Sequence, residues 1–116
     1  MTLLRSIPAT AGLVLQLTVD LMMENSREFV DDFVTALQAD PEHVALDFSK
    51  TRFIDSSGIG ALLKCSDKRN EKRDGHLIIL GLNRQMLSVF KLAGLYKVFD
   101  VVEGEEETRR RFPELF

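Results

Sequence analysis

The segment Asp55–Gly60 places a carboxylate, two serine hydroxyls and two glycines next to one another near the middle of the chain. Serine hydroxyls can be converted to phosphate esters, which adds charge at neutral pH. They can also act as nucleophiles or hydrogen-bond to the start of a helix. Since these chemistries need different surroundings, the elements on either side of the segment decide between them.

The segment lies at the junction of two different periodicities. The residues before it alternate in a pattern typical of a strand: Val44, Ala45, Leu46, Asp47 and Phe48. The residues after it recur at helical spacing and predict one face of a helix: Ile59, Leu62, Leu63, Ser66 and Asn70. Asp55–Gly60 is therefore expected at a helix N-terminus, where unpaired N–H groups and the helix dipole favour an anion.

Helix capping alone accounts for part of this segment. One Asp or Ser cap is worth about 1 kcal/mol and would suffice. Two glycines in the first turn cost roughly 0.5–1 kcal/mol each relative to alanine, but they leave room beside Ser57 for another backbone or a partner. From the residues alone, a simple cap and a site whose charge can be switched remain equal alternatives.

Other site chemistries lack the residues that they require. Gly58 and Gly60 resemble a dinucleotide fingerprint, but Leu63 stands where the third glycine belongs. The sequence has no phosphate-binding loop of the Gly-x4-Gly-Lys-Ser/Thr type and no Gly-x-Ser-x-Gly elbow. His43 and His76 have no second ligand at metal-binding spacing. We therefore expect no catalytic residues, no metal and no cofactor.

Composition bounds the rest. The 116 residues are 45% apolar and 28% charged, with a net charge of −3 and a single cysteine, Cys65. These values predict one domain spanning residues 1–116 with a real core, a reducing cytoplasmic location and no nucleic-acid partner. No apolar run approaches the roughly 20 residues of a membrane span, so no membrane partner is expected.

Strand and helix patterns alternate along the chain. They predict a hairpin of residues 3–7 and 13–19 turning at Pro8–Gly12, strands at 43–48, 76–80 and 98–102, and helices at 57–73, 84–93 and 104–111. The first helix is expected to start with a capping box of Asn25 and Glu28 and to end at Asp40-Pro41. This order predicts βαβ units and a largely parallel sheet.

Three features keep two interpretations each. Leu21, Met22 and Met23 can fill the core or form an interface. A stripe of lysines can be a solvated helix face with local ion pairs or a basic patch for an acidic partner. It consists of Lys64, Lys68 and Lys72. Phe112, Leu115 and Phe116 pack back onto the domain or mediate self-association, so an oligomer stays open.

The sequence resembles the STAS domain, a family named for sulfate transporters and anti-sigma factor antagonists, and within it the stand-alone bacterial antagonists. The resemblance rests on Val44–Phe48, Phe53–Leu62 and Leu87–Asp100. It implies an α/β fold with a mixed, largely parallel sheet of about four to five strands and about four helices, mainly on one face.

The resemblance also implies partner switching. In the family the unphosphorylated antagonist binds a switch serine kinase of the histidine-kinase-like ATPase type, which is the anti-sigma factor, and so releases a client. The kinase phosphorylates the second serine of Asp-Ser-Ser-Gly, here Ser57, and a metal-dependent serine phosphatase resets the switch. The antagonist is a substrate and not an enzyme. The implied partner-binding residues are Asp20, Leu21, Met22, Met23, Asp55, Ser56, Ser57, Gly58, Ile59 and Gly60.

One loop departs from the family pattern of Gly, acidic residue, apolar residue and Asp after the second strand. Here these positions hold Val19, Asp20, Leu21 and Met22, which bears on which partner is bound. The alternative function is a STAS module that is not phosphorylated and serves a transporter, a lipid-trafficking complex or a signalling scaffold. The intact Asp-Ser-Ser-Gly favours the phosphorylated switch.

Overall fold

A computed structural model describes residues 3–7 and 12–113 of the chain. The strands are β1 (Leu4–Ile7), β2 (Leu13–Leu17), β3 (Val44–Asp47), β4 (Ile78–Leu80) and β5 (Asp100–Val101). The α-helices are α1 (Ser26–Leu37), α2 (Ser56–Lys72), α3 (Arg84–Leu92) and α4 (Glu105–Arg111). The predicted turn residues 8–11, as well as Leu115 and Phe116, lie outside the described residues.

The strands form one five-stranded sheet in the order β1-β2-β3-β4-β5. β1 and β2 pair antiparallel, as a hairpin should, and the other neighbours pair parallel. The register aligns Leu15 of β2 with Leu46 of β3 and Ile79 of β4. This mixed, largely parallel sheet confirms the predicted fold class.

The main core lies on the sheet face that carries Leu15, Leu46 and Ile79. Helices α1, α2 and α3 all pack there, because each presents apolar side chains at helical spacing. The fully buried helix residues include Phe29, Phe33, Leu62 and Phe90. Each such side chain contributes roughly 1.5–3 kcal/mol by leaving water, so this face holds the helices rigidly.

The opposite sheet face has a smaller apolar cluster. Val14, Ala45 and Leu80 pack there with Phe112, which follows α4 and is 6% exposed. Phe112 therefore packs back onto the sheet, as one of its two interpretations expected. On the same face Gln16 donates to the buried carboxylate of Asp47 at 2.8 Å. The helices thus lie mainly on one face, in agreement with prediction.

Several predicted boundaries and faces were wrong. The first helix ends at Leu37, before the predicted Asp40-Pro41, and Asp40 adopts a positive φ of 49°. The last strand shrinks to Asp100–Val101 because a 3-10 turn at Leu95–Lys97 follows Gly94. The apolar spacing of α3 predicts Met86, Leu87, Val89 and Phe90 on its buried side, but Val89 is 40% exposed.

The buried face of α2 also differs from the predicted one. Leu63 is partly exposed and Asn70 is exposed, whereas Arg69 is only 3% exposed and donates to the carbonyl oxygen of Glu42. The face that packs consists of Gly58, Ala61, Leu62, Cys65, Ser66 and Arg69. Small residues on this face let α2 lie close to its neighbours, so apolar size alone did not identify it.

Cys65 is fully buried, and burial raises the pKa of its thiol to about 12. We expect the folded protein to react with a thiol reagent such as DTNB far more slowly at pH 8 than the unfolded chain, because only the thiolate reacts. The rate of reagent release with and without denaturant measures this. Equal rates in both states would contradict the burial of Cys65.

Candidate functional site

Asp55 caps the helix that carries the serines. Its Oδ1 accepts a hydrogen bond from the Gly58 N–H at 2.8 Å, and α2 begins at Ser56. Since the carboxylate performs the capping, the hydroxyls of Ser56 and Ser57 are not needed for it. Neither makes a hydrogen bond to any described residue, which leaves both available for chemistry.

The second carboxylate oxygen of Asp55 reaches a different part of the chain. Asp55 Oδ2 accepts from the Met23 N–H at 3.0 Å. Beside it, the Leu21 N–H donates to the Phe53 carbonyl at 3.0 Å and the Asp55 N–H donates to the Leu21 carbonyl at 3.1 Å. The loop after β2 is therefore held along the residues that lead into α2.

Asp20 and Asn25 fix the two ends of this loop. Asp20 Oδ1 accepts from the Arg52 N–H at 2.8 Å. The Asn25 side chain accepts from the Met22 N–H at 2.9 Å and donates to the Asp20 carbonyl at 2.8 Å. It makes no cap hydrogen bond to α1, so the predicted capping box is wrong. The Asn25 side-chain amide instead hydrogen-bonds to backbone groups of the loop that would otherwise lack a partner.

The structure brings the two predicted partner-binding segments together, but it sorts their residues into two groups. Leu21 is 0% exposed and packs in the core, which agrees with the core interpretation of this residue. Gly58 is buried as well, while Asp20, Met22 and Ser57 are half-buried. Met23 is 68% exposed and Val19 is 40% exposed, so both present apolar side chains outward from this loop.

Gly58 and Gly60 serve different purposes. A Cβ on Gly58 would lie 2.7 Å from the Leu21 carbonyl oxygen and 2.7 Å from Ile54 Cγ2. Gly58 therefore admits the backbone of the loop, which was one of the two approaches expected. A Cβ on Gly60 would meet nothing within 4 Å, and Gly60 is exposed. Packing does not explain why Gly60 is glycine.

Ser57 lines a groove of about 390 Å³ between α1 and α2, here called the Ser57 groove. The other lining residues are Ser26, Arg27, Val30, Asp31, Gly60, Ala61 and Lys64. Two cations thus share the groove with the central serine. The sequence pattern did not single out Arg27, because only the tertiary packing of α1 on α2 places it there.

An apolar depression flanks the start of α2 on another side, between α2 and α3. Its partly exposed apolar members, here called the Phe53 patch, are Phe53, Ile59 and Val89. Phe53 is 43% exposed, which is unusual for a large aromatic side chain. Ile59 was a predicted contact residue, whereas Phe53 and Val89 were not. The bulk of Phe53 immediately before Ile54-Asp55 was the available signal.

A wide cavity lies away from the serines, and acidic and basic groups balance in its lining. It measures about 880 Å³ and includes His43, His76, Arg69, Arg111 and Asp100 in its lining. Arg111 pairs with Asp100 at 2.9 Å. In the described part of the chain, no three His, Cys, Asp or Glu side chains are grouped closely enough to hold a metal ion. No helix there is long and apolar enough to cross a bilayer.

Comparison with known proteins identifies the family to which this fold belongs. The sequence model of the STAS domain matches residues 4–108. The chain belongs to the STAS domain family. An anti-sigma factor antagonist from Mycobacterium paratuberculosis superposes with a TM-score of 0.75 at 14% identity, over 95% of this chain and 92% of that chain.

Two solved forms of the anti-sigma factor antagonist SpoIIAA also match this STAS domain. The unphosphorylated form gives a TM-score of 0.65 at 21% identity, over 93% of this chain and 94% of that one. The phosphorylated form, described as a Bacillus cell fate determinant, gives 0.64 at 24% identity, over 93% and 97%. At these identities the likeness establishes a shared fold.

Substitutions of Gly58 and Gly60 are expected to change the stability of the protein in opposite directions. Gly60→Ala should raise the free energy of unfolding by about 0.5–1 kcal/mol, since it removes the glycine penalty in a helix and meets no neighbour. Gly58→Ala should lower it by about 1–3 kcal/mol, since the methyl group strikes the Leu21 backbone. Urea denaturation measures both. A Gly58→Ala variant as stable as the parent would contradict the close approach.

Asp55→Asn should separate the two roles of the carboxylate. Asparagine caps a helix about as well as aspartate, but its amide group cannot accept the second hydrogen bond from Met23. We expect the free energy of unfolding to fall by about 0.5–1.5 kcal/mol and hydrogen exchange at the Met23 amide to become faster. Asp55→Ala, which loses both bonds, is the control and should be less stable. Unchanged exchange at Met23 would refute the link between the loop and α2.

Proposed function

We propose that this STAS-domain protein is an anti-sigma factor antagonist that works by partner switching, with Ser57 as its phosphoacceptor. The observation that carries the proposal is the free Ser57 hydroxyl at a helix start that Asp55 already caps. The protein acts as a substrate in the cytoplasm, where ATP is available to a kinase. The kinase that phosphorylates Ser57 and the phosphatase that removes the phosphate both contact the surface around Ser57.

The unphosphorylated protein binds a switch serine kinase of the histidine-kinase-like ATPase type, which is the anti-sigma factor. Its contact surface joins the Ser57 hydroxyl to the exposed side chain of Met23 and to the Phe53 patch. Apolar side chains around a small polar centre suit an interface whose core must exclude water. Binding occupies the kinase and releases its client.

Phosphorylation then reverses binding without refolding the domain. A phosphoryl group adds a charge of about −1.5 to −2, and the N-terminus of α2 favours an anion at that position. The domain tolerates the charge because Ser57 is half-buried at the surface and Asp55 keeps both of its hydrogen bonds. The partner instead meets a dianion where a hydroxyl had fitted, and desolvation opposes contact. A metal-dependent serine phosphatase restores the hydroxyl.

The likeness to SpoIIAA supports this interpretation in one respect. SpoIIAA was solved in unphosphorylated and phosphorylated forms, and this chain superposes on both with nearly equal TM-scores of 0.65 and 0.64. Both forms share the fold of this chain, which suits a switch that acts through surface charge. Met22 and Met23 stand in the loop that departs from the family pattern, so we assign partner choice to this loop.

Phosphopeptide mapping after incubation with ATP and the cognate kinase tests the proposal. We expect label on Ser57, none in Ser57→Ala, and retained labelling in the matched control Ser56→Ala. Ser57→Ala should bind the kinase within about twofold of the parent, whereas Ser57→Asp should bind at least about tenfold more weakly, a change of about 1.4 kcal/mol. Calorimetric titration measures the affinities.

Two outcomes would overturn this assignment. Label on Ser56 alone would show that Ser56, and not Ser57, is the phosphoacceptor. No labelling and no binding with any kinase of this type would remove the switch and favour the subunit of a transporter or scaffold instead.

A further inference from the structure

We propose that Arg27 and Lys64 form a phosphate cradle that holds the phosphoryl group of Ser57 against the protein's own surface. This inference rests on the proposed phosphorylation of Ser57 and adds to it the residues that receive the charge. Arg27 and Lys64 line the Ser57 groove together with Ser57 and Gly60. They enter it from two different helices, α1 and α2, so the groove has a cation on each wall.

Lys64 is placed to reach Ser57 along α2. Ser57, Gly60 and Lys64 follow one another at helical spacing on the same face, and seven residues correspond to a rise of about 10.5 Å. Helix side chains lean toward the N-terminus, so the Lys64 side chain extends toward Ser57. An ammonium on a four-carbon stem and a phosphoserine can together span most of that separation.

Gly60 leaves the path between them open. It lies between Ser57 and Lys64 on the wall of the groove, and a Cβ there would meet nothing within 4 Å. Glycine is less favourable than alanine inside a helix, and no packing contact requires it here. A phosphoryl group that lies along the helix would account for the absence of a side chain at Gly60.

Arg27 and Lys64 are also free to pair. Within the described residues neither takes part in an ion pair, whereas Lys68 of the same helix pairs with Glu71 at 3.6 Å. The lining of the groove holds one carboxylate, Asp31, against these two cations. Asp55 at the start of α2 is a second negative group nearby, and its oxygens accept from Gly58 and Met23. The side of the groove away from Asp55 therefore favours an anion.

The cradle gives the phosphorylated protein a defined surface. Arginine binds phosphate oxygens through paired N–H groups, and lysine adds a point charge. A phosphoryl group held in this way stays dianionic and points along the groove instead of extending freely into solvent. The phosphorylated state is then stabilised by the domain itself, and the phosphatase must withdraw the group from the groove.

Phosphorus NMR tests the cradle without any kinase. Phosphoserine is placed at position 57 during translation with an expanded genetic code, and the ³¹P shift is followed with pH. Each cation should lower the second pKa of the phosphoserine by about 0.3–0.5 units. Lys64→Ala and Arg27→Ala should each raise that pKa by this amount, and the double variant should raise it further. Lys68→Ala, one turn beyond Lys64 on α2, is the matched control and should leave it unchanged.

The outcomes separate the cradle from the proposed function. The helix N-terminus acts equally in all variants, so differences among them report the side chains alone. A pKa unchanged in both Lys64→Ala and Arg27→Ala, or shifted equally by Lys68→Ala, overturns the cradle even if a kinase labels Ser57. The expected shifts in the encoded phosphoprotein support the cradle even if no kinase is found.

Discussion

The carboxylate of Asp55 is the interaction on which the candidate site depends. One oxygen starts α2 through Gly58, and the other holds the Met23 backbone. A single side chain therefore joins two segments that lie 32 residues apart in the chain. Because the hydrogen bonds are charge-assisted, they are stronger than neutral ones. They leave the serine hydroxyls with no structural task, which is what a site of reversible modification requires.

The layer beneath the site is tightly packed. Leu21 is fully buried, and its carbonyl oxygen passes close to Gly58, where even a methyl group would collide. Behind them the sheet and the aromatic residues of α1 and α3 form one apolar core. A dense interior resists deformation. The proposed phosphorylation of Ser57 would therefore change the charge that the surface presents and leave the fold intact.

The surface around Ser57 is asymmetric, and its two sides suit two different tasks. The Phe53 patch lies between α2 and α3 and offers apolar area to a partner. The Ser57 groove lies between α1 and α2 and carries Arg27 and Lys64. The proposed partner contact on one side and the proposed charge capture on the other are compatible because α2 separates them. In the proposed switch, the small hydroxyl suits partner contact and the charge of a phosphate suits capture in the groove.

Local patterns determined the α/β fold class, the hairpin, and the position of Asp55–Gly60 at a helix start, since these depend on neighbours in the chain. Long-range contacts decided the rest. Leu21 turns inward, and Arg69 is buried while Leu63 is partly exposed. Arg27 reaches the groove only because α1 packs on α2. Each outcome depends on which distant backbone group or apolar surface lies within reach, and residue spacing carries no such information.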